Sequence, residues 1–147
     1  MRNLRYLVLH CSATPEGRPV TAAEIKRWHK GKGWRDIGYH FVIELSGKVV
    51  PGRRIEQAGS HVQGWNAETV GICYVGGTDL DMKPKDTLNA AQEHALKNLV
   101  ATLRAKYGPM ELYGHNDFTD TKACPSFKVS ERLPGLKIDA TKTPTLF

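Results

Sequence analysis

Long apolar runs are missing from these 147 residues. The longest near the start, YLVLH, falls far short of the roughly 20 residues that a membrane span needs, and it ends in polar residues. It reads as a buried strand rather than a signal sequence, so no membrane insertion is expected and the chain should be made and left in the cytoplasm. Cysteine is scarce too: Cys11, Cys73 and Cys124 form an odd, widely spaced set. A domain of this size folds without disulfide staples. Internal repeats, linkers and low-complexity tracts are also absent. With 40% hydrophobic residues, residues 1–147 match one ordinary domain that buries well over half of the surface its unfolded form exposes, with a polar tail from about Gly135.

Positive charge is plentiful, with a formal net charge of +6 and a pI near 9.3. That balance favours an anionic partner: nucleic acid, a membrane surface or bacterial cell wall. The basic residues are scattered, from Lys26 through Arg53 to Lys85, and no nucleic-acid-binding signature organises them, so no specific nucleic-acid partner is expected. Composition does not choose among the others.

RYLVLH is rich in strand-favouring residues. A short helix follows in PVTAAEIKRWHKGKG, where Thr21 and Glu24 stand at capping-box spacing, Ile25 and Trp28 share a face, and Gly31 or Gly33 supplies a stop. IGYHFVIELSGKVVPGR reads as two strands joined in a tight hairpin at Ser46-Gly47. TVGICYVGG has the nearly all-apolar character of a central strand covered on both faces. The clearest helix begins at Asn89 and Gln92, carries the stripe Leu96, Leu99, Val100, Leu103 and Tyr107, and ends at Gly108-Pro109. MELYGH is another strand and SFKVSERL a short last helix. The fold class is α/β: a single domain with a central mixed β-sheet flanked by helices.

Strands ending in LVLH and LYGH place His10 and His115 where open α/β sheets carry their sites. Either histidine also reads as an ordinary structural hydrogen-bonding residue. Cys124, nine residues after His115, could reach back to the same point, but this spacing matches no standard zinc finger and leaves a metal site open. By strand alternation Tyr39 and His40 face opposite ways, so His40 is expected to be packed or hydrogen-bonded beneath the site, and Cys11 points away from His10. Cys73 reads as an inert core thiol, and His29 and His94 as surface or packing residues on helices.

VLHCSAT, GYHFVIE, GSHVQGWNAETVGICYVGG and KACPSF, in that order, closely resemble the small bacteriophage N-acetylmuramoyl-L-alanine amidases historically called lysozymes. These are type 2 amidases, kin of the animal peptidoglycan recognition proteins, and the likeness runs from about Leu7 to Phe127. The resemblance implies a zinc hydrolase that cleaves the amide between N-acetylmuramic acid and L-alanine. It makes His10, His115 and Cys124 the zinc ligands, with the fourth position open, and matches Tyr39 and Lys122 to the two non-ligand catalytic positions. Lys122 would face the oxygen that becomes negative, compensating for the charge a thiolate drains from zinc. The segment between His115 and Lys122 is one residue longer than the resemblance leads one to expect. His61 and Asn66 are read as contacts to muramyl peptide in the groove, with a structural loop role as the alternative. The implied partner is bacterial peptidoglycan, reached after release from the cell with help such as a phage pore-forming protein. A peptidoglycan-binding or protein-binding module without hydrolysis is the competing reading, and a further protein partner stays open.

Overall fold

The computed structural model describes residues 2–136, so the expected polar tail lies almost wholly outside the described residues. Its frame is a five-stranded sheet assembled from β1 (Tyr6–Cys11), β3 (Phe41–Ile43), β4 (Val49–Pro51), β5 (Thr69–Tyr74) and β7 (Glu111–Gly114), in the order β4-β3-β5-β1-β7. β5 pairs in parallel with both β1 and β3, β7 lies parallel to β1, and the β3–β4 hairpin is antiparallel. All six residues of β5 are buried, as are Leu7 through Cys11 of β1, because helices cover the centre of the sheet on both faces.

Side-chain alternation divides the sheet between two cores. Leu7, Leu9, Ile72 and Tyr74 face α2 (Ala90–Tyr107) and pack with its Leu96, Leu99, Val100 and Leu103. The opposite face carries Val42 and Cys73 against Ile25 of α1 (Ala22–Gly31). Asn89 and Gln92 close a reciprocal capping box, and the Gln92 side chain then donates to the Val75 carbonyl at 2.9 Å. The start of α2 is thereby tied to the end of the central strand. Among the described residues no helix is long and apolar enough to cross a membrane.

Several local expectations shift. Thr21 caps α1 through the Glu24 N–H, but Trp28 is exposed and the buried face is Ala22, Ile25 and His29. His29 is held there because its Nδ1 accepts the Gly38 N–H at 2.8 Å. The hairpin loop has three residues between Glu44 and Lys48, with Gly47 at φ 91, because a left-handed residue closes such a loop onto twisted strands. The last helix, α3, contracts to Val129–Arg132. A separate two-stranded ladder of β2 (Thr14–Pro15) and β6 (Gly77–Thr78) has no periodic signal in the sequence.

Candidate metal centre

His10 lies near the end of β1 and His115 is the first residue after β7. These strands are parallel neighbours with Leu9 opposite Gly114, so the next position on each brings the two histidines side by side. Their ring centroids are 4.7 Å apart, about the spacing of adjacent strands. Alternation sends His10 to the face opposite Leu9, away from the α2 core.

The loop after His115 folds back on itself to deliver the cysteine. Asn116 donates its backbone N–H to the Cys124 carbonyl at 2.9 Å and its side-chain amide to the carbonyls of Ala123 and Phe127. The Tyr74 hydroxyl donates to the Pro125 carbonyl, and Ser126 Oγ to the Gly77 carbonyl, each at 2.7 Å. Ligand atoms of His10, His115 and Cys124 then lie within 4.8 Å of one another, forming the one group among the described residues that could hold a metal ion. Two imidazoles and a thiol without a carboxylate suit zinc better than magnesium or calcium.

Burial and neighbouring groups set the protonation of these donors. Burial pushes the His10 imidazole well below its ordinary value, with His61 and His115 adding to the shift. His115 is lowered by burial and then by the Lys122 ammonium. Both rings are therefore neutral near pH 7, the form that binds metal. The Cys11 backbone N–H donates to the Cys124 sulfur at 3.1 Å, which favours charge there. In the metal-free protein the neighbouring Cys11 thiol and then burial nevertheless push the Cys124 thiol up, so the negative charge on this sulfur forms as a metal binds. The Cys11 side chain belongs to the α2 core as alternation requires, yet its backbone still meets the Cys124 sulfur, a contact the sequence did not disclose.

Tyr39 packs its ring on His10 at 5.0 Å and on His29 at 5.3 Å between centroids. Burial, and then the thiols of Cys73, Cys124 and Cys11, hold its phenol protonated far above the ordinary range, so it is a hydrogen-bond donor at neutral pH. Cys73 is a buried core thiol as expected. His40 sits behind the site, accepting the Gly71 N–H at 3.0 Å on Nδ1 while Nε2 donates to the Gln57 carbonyl at 2.8 Å. His94 is exposed on α2 beside Asn98.

A groove of about 560 Å³ reaches the centre at His115, with Lys122 on its exposed rim and Trp34 and Phe118 on its walls. His61 and Asn66 also line it, and both make hydrogen bonds within the protein. Asn66 Oδ1 accepts the N–H groups of both His61 and Val62 at 2.9 Å. The His61 ring bonds to His10 at 2.8 Å and to Thr69 at 3.1 Å. Both residues thus stand on the groove wall and brace the loop that carries them. Thr69 and Asn116 were not singled out from the sequence, because threonine and asparagine carry no ligand signature of their own.

Comparison with known proteins adds an independent line. A family model described as N-acetylmuramoyl-L-alanine amidase matches residues 1–127. The endolysin of Klebsiella phage KP32 is 44% identical over 121 residues, which is 82% of this chain and 80% of that protein. Among solved structures, the N-acetylmuramoyl-L-alanine amidase LysC from Clostridium intestinale superposes with a TM-score of 0.74 at 30% identity, covering 86% of this chain and 79% of that one. A Drosophila peptidoglycan-recognition protein LB variant, solved in complex with tracheal cytotoxin, superposes with a TM-score of 0.72 at 25% identity over 90% of this chain and 83% of its own.

Proposed function

The chain belongs to the N-acetylmuramoyl-L-alanine amidase family, so its activity is hydrolysis of the amide joining N-acetylmuramic acid to L-alanine in peptidoglycan, and on that premise we propose that His10, His115 and Cys124 hold a catalytic zinc ion. The observation that carries this reading is the convergence of the three donor atoms within 4.8 Å. Three protein ligands leave a position open, the arrangement of catalytic rather than structural zinc. When bound, the ion would supply Lewis acidity to the amide carbonyl and to water.

The chain's own residues do the rest. The groove takes a muramyl peptide, as the complex of the related Drosophila protein with the muropeptide tracheal cytotoxin supports. Tyr39 keeps its proton and donates it in a hydrogen bond to water or substrate beside His10. Lys122, on the rim next to His115, faces the amide oxygen as negative charge builds on it, an interaction stronger in the transition state than in the bound substrate. A binding module that had abandoned hydrolysis would have no use for the complete donor set together with Tyr39 and Lys122. Zinc analysis of the purified wild type and of Cys124→Ala tests the assignment. One equivalent is expected in the wild type, and loss of both zinc and peptide release in the variant. Tight stoichiometric zinc in Cys124→Ala would overturn it.

A further inference from the structure

We propose that His61 is a positioning residue for the metal centre: a directed hydrogen-bond chain from His10 through His61 and Thr69 to the Trp65 carbonyl fixes the tautomer of His10, leaving its Nδ1 lone pair free for the metal. The proposal rests on the reading of His10 as a ligand. It assigns His61 a role other than contact with substrate.

The direction of the chain follows from its far end. The Trp65 carbonyl can only accept. Thr69 Oγ1 lies 2.9 Å from it, a separation that is repulsive between two oxygens unless the hydroxyl hydrogen lies between them. Thr69 therefore spends its one proton on Trp65, and its oxygen must accept from His61 Nε2 at 3.1 Å. His61 carries its proton on Nε2. The ring is buried and its partners are Thr69 and His10 rather than a carboxylate, so nothing bonded to it balances a second proton. Its Nδ1 is then an acceptor, and the 2.8 Å contact with His10 Nε2 requires the proton to come from His10. A neutral His10 protonated on Nε2 presents an unprotonated Nδ1.

Independent features hold the His61 ring in place. A Cβ added at Gly71 would lie 2.7 Å from its Cγ, and one added at Gly59 would lie 2.7 Å from its Cδ2. The ring thus occupies a slot that exists only because both neighbours are glycine. Asn66 Oδ1 anchors the backbone on either side of that slot through His61 and Val62. A groove residue waiting for a ligand would not need two ring partners, a two-point backbone anchor and two glycines cut to its outline. A partner on the non-ligating nitrogen of a metal-bound histidine sets the ring's orientation, and losing it typically weakens metal binding by about 10- to 100-fold.

Two measurements test this. Long-range ¹H–¹⁵N spectra of the unmodified metal-free protein report which nitrogen of each imidazole is protonated. The expected pattern is Nε2–H on both His61 and His10. Zinc affinity, measured by competition with a chelator, should fall about 10- to 100-fold in His61→Phe. It should return to within a few-fold of wild type in His61→Asn, whose side-chain oxygen can stand where Nδ1 stood. A spectrum with His61 protonated on Nδ1 would overturn the proposal alone, as would wild-type affinity in His61→Phe or equal losses in the Phe and Asn variants. A wild-type chain that binds no zinc would overturn the metal reading, and with it the purpose of the relay.

Discussion

Lys122 and Asn66 show what one side chain can and cannot disclose. Lys122 is exposed at the groove rim and makes no ion pair among the described residues, so it stands free to meet charge that develops on a substrate. Lys122→Met is expected to keep zinc and KM while kcat falls on the order of 10²- to 10³-fold, the effect of removing one transition-state donor. A raised, salt-sensitive KM with kcat intact would show instead that Lys122 only attracts the anionic wall. Asn66 is the converse case. Its oxygen satisfies two backbone N–H groups, so Asn66→Ala should lower stability by about 1–3 kcal/mol in urea unfolding. Unchanged stability with a raised KM would show a substrate contact instead. His10, His115 and Cys124 were legible as candidate ligands because the segments that carry them are recognisable. The hydrogen bonds of His61 to His10 and Thr69 were not, because a motif names the residue but not the nitrogen it offers or the neighbour that receives it.

Pairs of elements turn separated residues into a centre. The parallel register of β1 and β7 sets His10 beside His115, and no spacing rule in the chain could express that, since more than a hundred positions separate them. The strands themselves and the stripe of α2 were readable from hydrophobic periodicity, whereas α1 was misjudged at Trp28 because a buried histidine took the apolar position. Gly71 illustrates the same limit within β5. In the sequence it is one small residue in an apolar run, but in the fold it is where the strand passes beneath the His61 ring. Gly71→Ala should therefore displace that ring, weakening zinc binding and costing about 1–3 kcal/mol from overpacking. Wild-type zinc affinity and stability in this variant would mean that the slot yields freely.

At the scale of the molecule, buried histidines couple the fold to pH. Burial lowers His29 and His40 to about 4, and His61 to about 3. In the unfolded chain each titrates near 6.5, so between that value and the folded values the unfolded state binds more protons than the native one. Stability of the metal-free protein is then full above about pH 6.5 and falls as pH drops towards 4, by up to about 1.4 kcal/mol per pH unit for each group. Urea midpoints measured across that range check the slope, and a flat profile would contradict the buried neutral state. The overall α/β architecture was accessible from the chain because strands and helices alternate with matching periodicities. The small β2–β6 ladder was not, since two-residue strands carry no period.

The most direct test of the whole account is mass spectrometry of the fragments released from purified peptidoglycan by zinc-loaded, chelator-stripped and zinc-restored protein. The account predicts intact stem peptides bearing a free L-alanine amino group, released by the loaded and restored protein and absent after stripping. Fragments carrying new reducing sugars without free peptides, or the same peptides from the stripped protein, would contradict it.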